Sequence, residues 1–135
     1  MACVRLLRTT LFVRAALWTL WGFAAGIVPR WLVRTVLSQP PLGEYAWLRA
    51  AAVMAVVLAM LMVLVAQRLE ELWWWSWAFV LLELGTTAVL ALNALVGLPK
   101  HAAAWPWWTG GGVSAVFAAL LLLALGRIGL QRQPE

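Results

Sequence analysis

The sequence is poor in the side chains from which catalytic centres and metal sites are built. It has one cysteine, one histidine and one tyrosine, and only 11% of its 135 residues are charged. The single Cys3 excludes an internal disulfide and a cysteine metal cage, and the single His101 has no second metal ligand evident beside it. No nucleophile triad, phosphate-binding loop or HExxH zinc motif occurs. We therefore expect a protein that is not an enzyme and that has no metal and no cofactor.

Apolar residues dominate instead. They make up 65% of the chain, with a mean hydropathy of +0.91, whereas a soluble domain is about 45–50% apolar and about 25% charged. One small core cannot bury this excess, so lipid must solvate much of the surface. The net charge of +5 comes from basic residues that mostly lie at the ends of apolar runs. That pattern indicates membrane topology and no nucleic-acid partner.

Four long apolar runs predict four transmembrane helices, at about residues 10–28, 45–66, 72–98 and 110–126. The predicted fold class is all-α: an integral membrane four-helix bundle forming a single transmembrane domain over residues 1–135. Residues 30–37 of the first loop alternate bulky apolar residues with arginines, which suits a short helix lying in the membrane interface. Pro40 and Pro41 then end it. The runs are too long and continuous for the strands of a β-barrel.

The first run resembles a signal peptide in position, but its residues favour a retained helix. Arg14 interrupts its beginning, Trp18 and Trp21 are bulky, and no A-x-A cleavage site follows. The chain also has 11 tryptophans, which cluster near the predicted helix ends. That position is typical of an aromatic belt at both membrane interfaces, although stacking of a pigment, quinone or sterol is an alternative.

Basic residues predict the orientation. Four crossings put both termini on one side, and Lys and Arg prefer the cytoplasmic side. We therefore expect both termini to be cytoplasmic, in an inner (plasma) membrane. The frequent alanine, arginine and tryptophan indicate a bacterium with a GC-rich genome. The terminal side carries Arg5, Arg8, Arg68, Arg127 and Arg132, and the opposite side carries Arg30, Arg34, Lys100 and, just inside the second helix, Arg49.

Small residues repeat at a spacing of four along three of the helices. Such faces let helix backbones approach closely in lipid, where apolar surface alone gives no drive to associate. We interpret them as packing surfaces within the chain, with a homodimer interface as the alternative. A tight polar turn near Arg68 also predicts that the second and third helices are antiparallel neighbours. The small residues are Gly22 and Gly26, then Ala51, Ala55 and Ala59, then Gly111, Ala115 and Ala119.

Glu83 is the residue most capable of chemistry. It lies about 15 Å along the third helix from Trp73, and a carboxylate at such depth costs about 2.5 kcal/mol or more to insert. It should therefore face the bundle, with Thr87 and Asn93 near its face. Arg14 is the natural partner, because the first and third helices begin on the same side of the membrane. The four residues form a candidate polar intramembrane site.

Two interpretations of this site stay open. A buried ion pair can fix the register of the helices without binding anything. Alternatively, Glu83 is a protonatable or ligand-binding carboxylate in a bundle cavity.

The order of features resembles the DoxX-like group of small four-helix bacterial membrane proteins. The resemblance rests on a first helix ending at Pro29, the Pro-rich loop through Pro40 and Pro41, and the Leu48-Arg49 start of the second helix. It departs from that group at Ala52, where a glycine often follows the arginine. The resemblance implies a membrane accessory role and transfers no catalytic residue.

Two functions follow as expectations. The first is a non-enzymatic accessory subunit or scaffold of a membrane complex, whose partners are the lipid bilayer and another membrane protein or a second copy of the chain. The alternative is a bundle that binds or transports a lipophilic small molecule at Glu83 and Arg14. An enzyme acting on lipid is less favoured, because one carboxylate and one arginine make a thin active site.

Overall fold

The computed structural model describes residues 2–131, with side chains over residues 4–128. Within this range all regular elements are helices, and there is no strand. The helices are α1 (Ala2–Ile27), α2 (Pro29–Trp31), α3 (Ala46–Gln67), α4 (Leu69–Leu72), α5 (Ser76–Val96) and α6 (Trp105–Gln131), with a π-helical turn at Leu32–Val36 and a 3₁₀ turn at Trp73–Trp75. Arg132, which contributed to the predicted orientation, lies outside the described residues.

Four helical segments within residues 2–131 are long and apolar enough to cross a membrane, by length and composition. This confirms the all-α class and the four long apolar helices. Their outward faces carry large apolar side chains, among them Leu20, Val53 and Leu95, each exposed by about two thirds. The segments are Val4–Ile27, Ala46–Gln67, Leu69–Val96 and Trp105–Ile128.

Two helices begin earlier than the sequence predicted. The first starts at Ala2 rather than near residue 10, because Arg5 and Arg8 continue a helix as readily as apolar residues do. The last starts at Trp105 rather than near residue 110. Pro106 is tolerated there because a proline in the first turn lacks an N–H that would have no helical acceptor anyway.

The first loop contains the short helical segment that the sequence predicted, formed by α2 and the π-helical turn. Pro29 begins it, and Leu32 and Val33 turn inward and are buried. At its end, Ser38 has a positive φ of 50°. Gln39 Nε2 donates a hydrogen bond of 2.7 Å to the carbonyl oxygen of Ala103, so the first and third long loops meet at one end of the bundle.

The long helices pack side by side in the order α3, α1, α6, α5. Arg8 near the start of α1 donates a 3.1 Å hydrogen bond to Ala66 O near the end of α3, so these two helices are antiparallel. The expectation that the second and third long helices are neighbours is wrong, since α3 and α5 share little backbone contact. The turn at Arg68 joins only their ends, because the buried face of α3 packs on α1 and that of α5 on α6.

Candidate functional site

The polar residues of interest lie near the middle of the long helices. Arg14 is about 18 Å from the beginning of α1, at 1.5 Å per residue. The sequence had placed it one turn inside the first helix, and the early start of α1 corrects this. Glu83 lies near the midpoint of the apolar segment Leu69–Val96. The two residues are therefore at comparable depth, and Arg14 is too deep to reach either end of the bundle.

Arg14 and Glu83 form a bidentate salt bridge. Arg14 Nε donates to Glu83 Oε1 at 2.6 Å, and Arg14 Nη2 donates to Oε2 at 2.6 Å. The carboxylate is fully buried and the arginine side chain is 10% exposed. Two parallel charge-assisted bonds are the strongest arrangement available to such a pair. Both carboxylate oxygens are thus occupied by the same guanidinium.

Residues from α1 and α6 complete the environment of the arginine. Arg14 Nη2 also donates to Ser114 Oγ at 2.8 Å. Its guanidinium carbon lies 5.1 Å from the ring centre of Trp18 and 4.9 Å from that of Phe117, within the range of cation–π attraction. Trp18 Nε1 approaches Glu83 Oε1 at 3.5 Å. The guanidinium of Arg14 therefore contacts residues of α1, α5 and α6. We call Arg14, Trp18, Glu83, Ser114 and Phe117 the central cluster.

Thr87 lies beside the central cluster. Its Oγ1 donates to the carbonyl oxygen of Glu83 at 2.8 Å, one turn back along α5, and approaches Gly111 O on α6 at 3.4 Å. This hydroxyl binds backbone carbonyl oxygens and not the Glu83 carboxylate. Its role is to join α5 to α6 one turn beyond the ion pair.

Asn93 does not join the cluster, contrary to the sequence interpretation. Its Nδ2 donates to Val89 O at 3.1 Å within its own helix. Ser76, on the other side of Glu83, is fully buried, and its hydroxyl has no hydrogen-bond partner among the described residues. The polar residues of α5 therefore do not form one continuous cluster, because Asn93 lies ten residues, or about 15 Å along the helix axis, from Glu83.

The small residues of α1 pack tightly on α3. A Cβ added to Gly22 would lie 2.9 Å from Ala52 O and 2.9 Å from Val56 Cγ2, whereas one added to Gly26 would lie 3.6 Å from Ala52 Cβ. Ala55 and Ala59 are buried on the same face. Glycine is thus required at Gly22 for the close approach of α1 to the α3 backbone.

Three of the predicted packing residues face outward. Ala51, Ala115 and Ala119 are exposed, while Ala52 and Ser114 take inward positions. Gly111 is buried, and its ideal Cβ would lie 3.6 Å from Leu90 Cβ. The error arises from using a spacing of four alone. The buried face alternates steps of three and four, as the 3.6-residue turn requires.

Sequence reasoning overlooked Ser114 and Phe117 as members of the central cluster. A signal for Ser114 existed, since it is an isolated hydroxyl in an apolar run, three residues after Gly111. Nothing in the sequence distinguishes Phe117 from other apolar residues of α6. Within the described part of the chain, no group of three His, Cys, Asp or Glu side chains is placed to hold a metal ion.

Comparison with known proteins adds no assignment to this geometry. No family model, no curated protein and no solved structure matches the chain. The resemblance to the DoxX-like group therefore stays a prediction from the sequence.

Proposed function

We propose that the chain is a multi-pass membrane protein in which α1, α3, the α4–α5 segment and α6 cross the lipid bilayer. The 22 residues of α3 extend about 33 Å at 1.5 Å per residue, enough for a hydrocarbon core of about 30 Å. Supporting this, the outward faces carry exposed Leu81, Val96 and Trp47. Soluble monomers rarely expose contiguous apolar patches of such extent.

The proposed orientation has both termini in the cytoplasm, with the inner membrane of a bacterium as the location. Arg5, Arg8 and Arg68 lie toward the end of the bundle that holds the termini, and Arg127 lies in the last turns of α6. The other end holds Arg30, Arg34, Arg49 and Lys100, so the described basic residues divide evenly. The excess of one on the terminal side comes from the sequence position of Arg132, which lies outside the described residues.

Within the membrane, we propose a non-enzymatic role as an accessory subunit or scaffold. The observation that carries this proposal is that the charged groups of the central cluster bind one another. Glu83 is fully buried and both of its oxygens accept hydrogen bonds from Arg14. A carboxylate in that state presents no exposed oxygen to a bound molecule until Arg14 moves away. The cluster therefore acts as a connection between helices.

The face available to a partner is the outer side of α5. Only 17% of the most apolar stretch of Leu69–Val96 is buried inside the bundle, against 44% of the corresponding stretch of Trp105–Ile128. A shallow groove of ≈ 450 Å³ runs along this side, and it is lined by Leu82, Gly85, Thr86 and Val89 among others. An added Cβ at Gly85 meets nothing within 4 Å. A small residue flanked by larger ones suits the close approach of another transmembrane helix.

Replacement of Gly85 by leucine tests the accessory role. The new side chain extends into the groove from a Cβ that meets nothing within 4 Å, so partners that copurify in mild detergent should be lost while the melting temperature is kept. Gly112→Leu is the matched control, because Gly112 is an exposed glycine of α6 whose added Cβ also meets nothing within 4 Å. A monodisperse monomer with no partner in both the wild type and the variants would contradict the proposal.

The alternative function, binding or transport of a lipophilic molecule at Glu83 and Arg14, requires the salt bridge to open. Glu83→Gln separates the two roles. A loss of thermal stability alone supports the connecting role, whereas a changed affinity for a lipophilic probe in a bundle of unchanged stability supports the alternative.

A further inference from the structure

A second polar region lies at the end of the bundle where α1 stops and α3 begins. There, a groove of ≈ 620 Å³ is bounded by the end of α1, the short α2, and the start of α3. It is far from the central cluster, which lies near the middle of the helices, and the accessory role described above makes no use of it. Its principal lining residues are Ile27, Pro29, Arg30, Trp31, Tyr45 and Arg49.

The groove is positively charged. Arg30 and Arg49 both line it, and no acidic residue does. Neither arginine forms an ion pair in the part of the chain that the structure describes. Both are exposed, and the guanidinium carbon of Arg30 lies 5.9 Å from the centre of the Tyr45 ring. Two forked donor groups without an acidic partner thus line one groove, an arrangement that suits recognition of a phosphate.

Tyr45 adds an unsatisfied donor. Its hydroxyl is shielded from solvent and has no hydrogen-bond partner among residues 4–128. Buried tyrosine hydroxyls normally have a partner. Tyr45 also immediately precedes α3, and Ala46, the first residue of α3, lines the groove, so the positive end of the helix dipole lies beside it. Tyr45 lines the groove, so rotation of its side chain would bring the shielded hydroxyl to an acceptor bound beside Arg30 and Arg49.

The position of the groove indicates which kind of anion it binds. Ile27 is the last residue of an apolar segment that is long enough to cross a membrane, and the exposed Trp31 is typical of the headgroup level. We infer that the groove binds the phosphodiester headgroup of a net-anionic phospholipid, with the acyl chains lying along the apolar outer faces of α1 and α3. This inference rests on the proposed insertion in a bilayer. A zwitterionic headgroup fits less well, because its cation would face two arginines.

Lipid retention by the full-length protein in neutral detergent tests the inference. Native mass spectrometry with added phosphatidylglycerol or phosphatidylcholine measures the preference. The wild type should retain phosphatidylglycerol about thirtyfold more tightly, given roughly 1 kcal/mol for each of the two arginines near an anionic headgroup. The Arg30→Gln/Arg49→Gln variant should lose this preference. The Arg34→Gln/Lys100→Gln variant should keep it, because it removes the same charge from the same end of the bundle outside the groove.

Two further measurements distinguish a lipid headgroup from a free phosphate as the ligand. Tyr45→Phe removes only the hydroxyl and should weaken phosphatidylglycerol retention several-fold. Soluble glycerol phosphate supplies the same phosphate chemistry without acyl chains, and it should neither bind measurably nor compete with the lipid. If it binds as tightly as phosphatidylglycerol, the groove is a site for a free phosphate and the lipid assignment is overturned.

Unchanged phosphatidylglycerol preference in Arg30→Gln/Arg49→Gln would also overturn the inference. If that double variant does not fold, Arg49→Gln alone serves, with Arg34→Gln as its control. Alkaline carbonate extraction of the same cells tests membrane insertion separately. Wild-type protein that is released by carbonate contradicts the proposed function, whereas carbonate-resistant protein without lipid preference contradicts the groove alone.

Discussion

Arg14 of α1 and Glu83 of α5 are joined by two hydrogen bonds of 2.6 Å, although the backbones of their helices share little direct contact. The long arginine side chain spans the gap, and Ser114 of α6 accepts a third hydrogen bond from it. This single guanidinium therefore connects three helices. The fourth long helix, α3, is attached differently, through the close approach of its backbone to Gly22.

The salt bridge predicts strong non-additivity between its two members. Arg14→Met or Glu83→Met alone leaves an unpaired charge in the bundle and should lower the free energy of unfolding by about 3 kcal/mol. The double replacement removes both charges and should cost far less than the sum of the two. Reversible unfolding in mixed micelles measures all three variants. Additive losses would mean that the pair does not interact in the folded protein.

Gly22 and Gly26 should respond differently to the same change. Gly22→Ala forces a Cβ to within 2.9 Å of the Ala52 carbonyl oxygen, and overpacking of this kind costs about 1–3 kcal/mol. Gly26→Ala adds a Cβ at 3.6 Å from Ala52 Cβ, an ordinary contact, and should leave stability unchanged or slightly raised. Thermal unfolding in detergent compares the two. Equal melting temperatures would show that α1 and α3 are less closely packed than described.

Ser114→Ala should weaken the cluster without opening it. The variant removes one hydrogen bond to Arg14, for which a loss of about 1 kcal/mol is expected in a membrane helix. Thr109→Ala is the control, because Thr109 is exposed and its hydroxyl bonds only within its own helix. The measurement is the shift in unfolding midpoint of each variant. A larger loss for Thr109→Ala would assign the stability to helix α6 itself and not to the cluster.

The proposed topology predicts which positions a membrane-impermeant thiol reagent reaches in intact cells. In a Cys3→Ser background, cysteines at Ser38 or His101 should be labelled from outside the cytoplasm. A cysteine at Glu71 should be labelled only after the cells are opened. All three native positions are exposed, so folding does not limit access. The reverse pattern would invert the orientation and keep the four crossings, whereas labelling of only one loop from outside would contradict the number of crossings.

Part of the central cluster was predictable because its chemistry is unusual in this composition. Glu83 and Arg14 are charged residues within apolar runs. Because an unpaired charge in such a run has a high free energy of insertion, the two residues are expected to form a pair. Their pairing could be argued from the sequence even with the beginning of α1 misplaced. Trp18 lies one turn from Arg14 in the sequence, while Phe117 carried no distinguishing signal.

The helix ends and the neighbour relations were harder to predict. Hydropathy locates an apolar run but is insensitive to helical turns that continue beyond it, so the starts at Ala2 and Trp105 were missed. A short turn at Arg68 indicates that two helix ends are adjacent, yet it does not say which faces meet. Likewise, spacing of small residues suggested Ala51 and Ala115, whereas the packed faces include Ala52 and Ser114.

The sequence by itself determined the helical class, the four long apolar segments and the need for Glu83 to have a partner, because these follow from the cost of burying peptide groups and charge in an apolar medium. Only the tertiary structure decided that α1 lies between α3 and α6 and that Ser114 completes the arginine's hydrogen bonds. It also decided that Arg30, Tyr45 and Arg49 share one groove. These outcomes depend on the rotation of each helix about its axis, which close packing sets and hydropathy does not record.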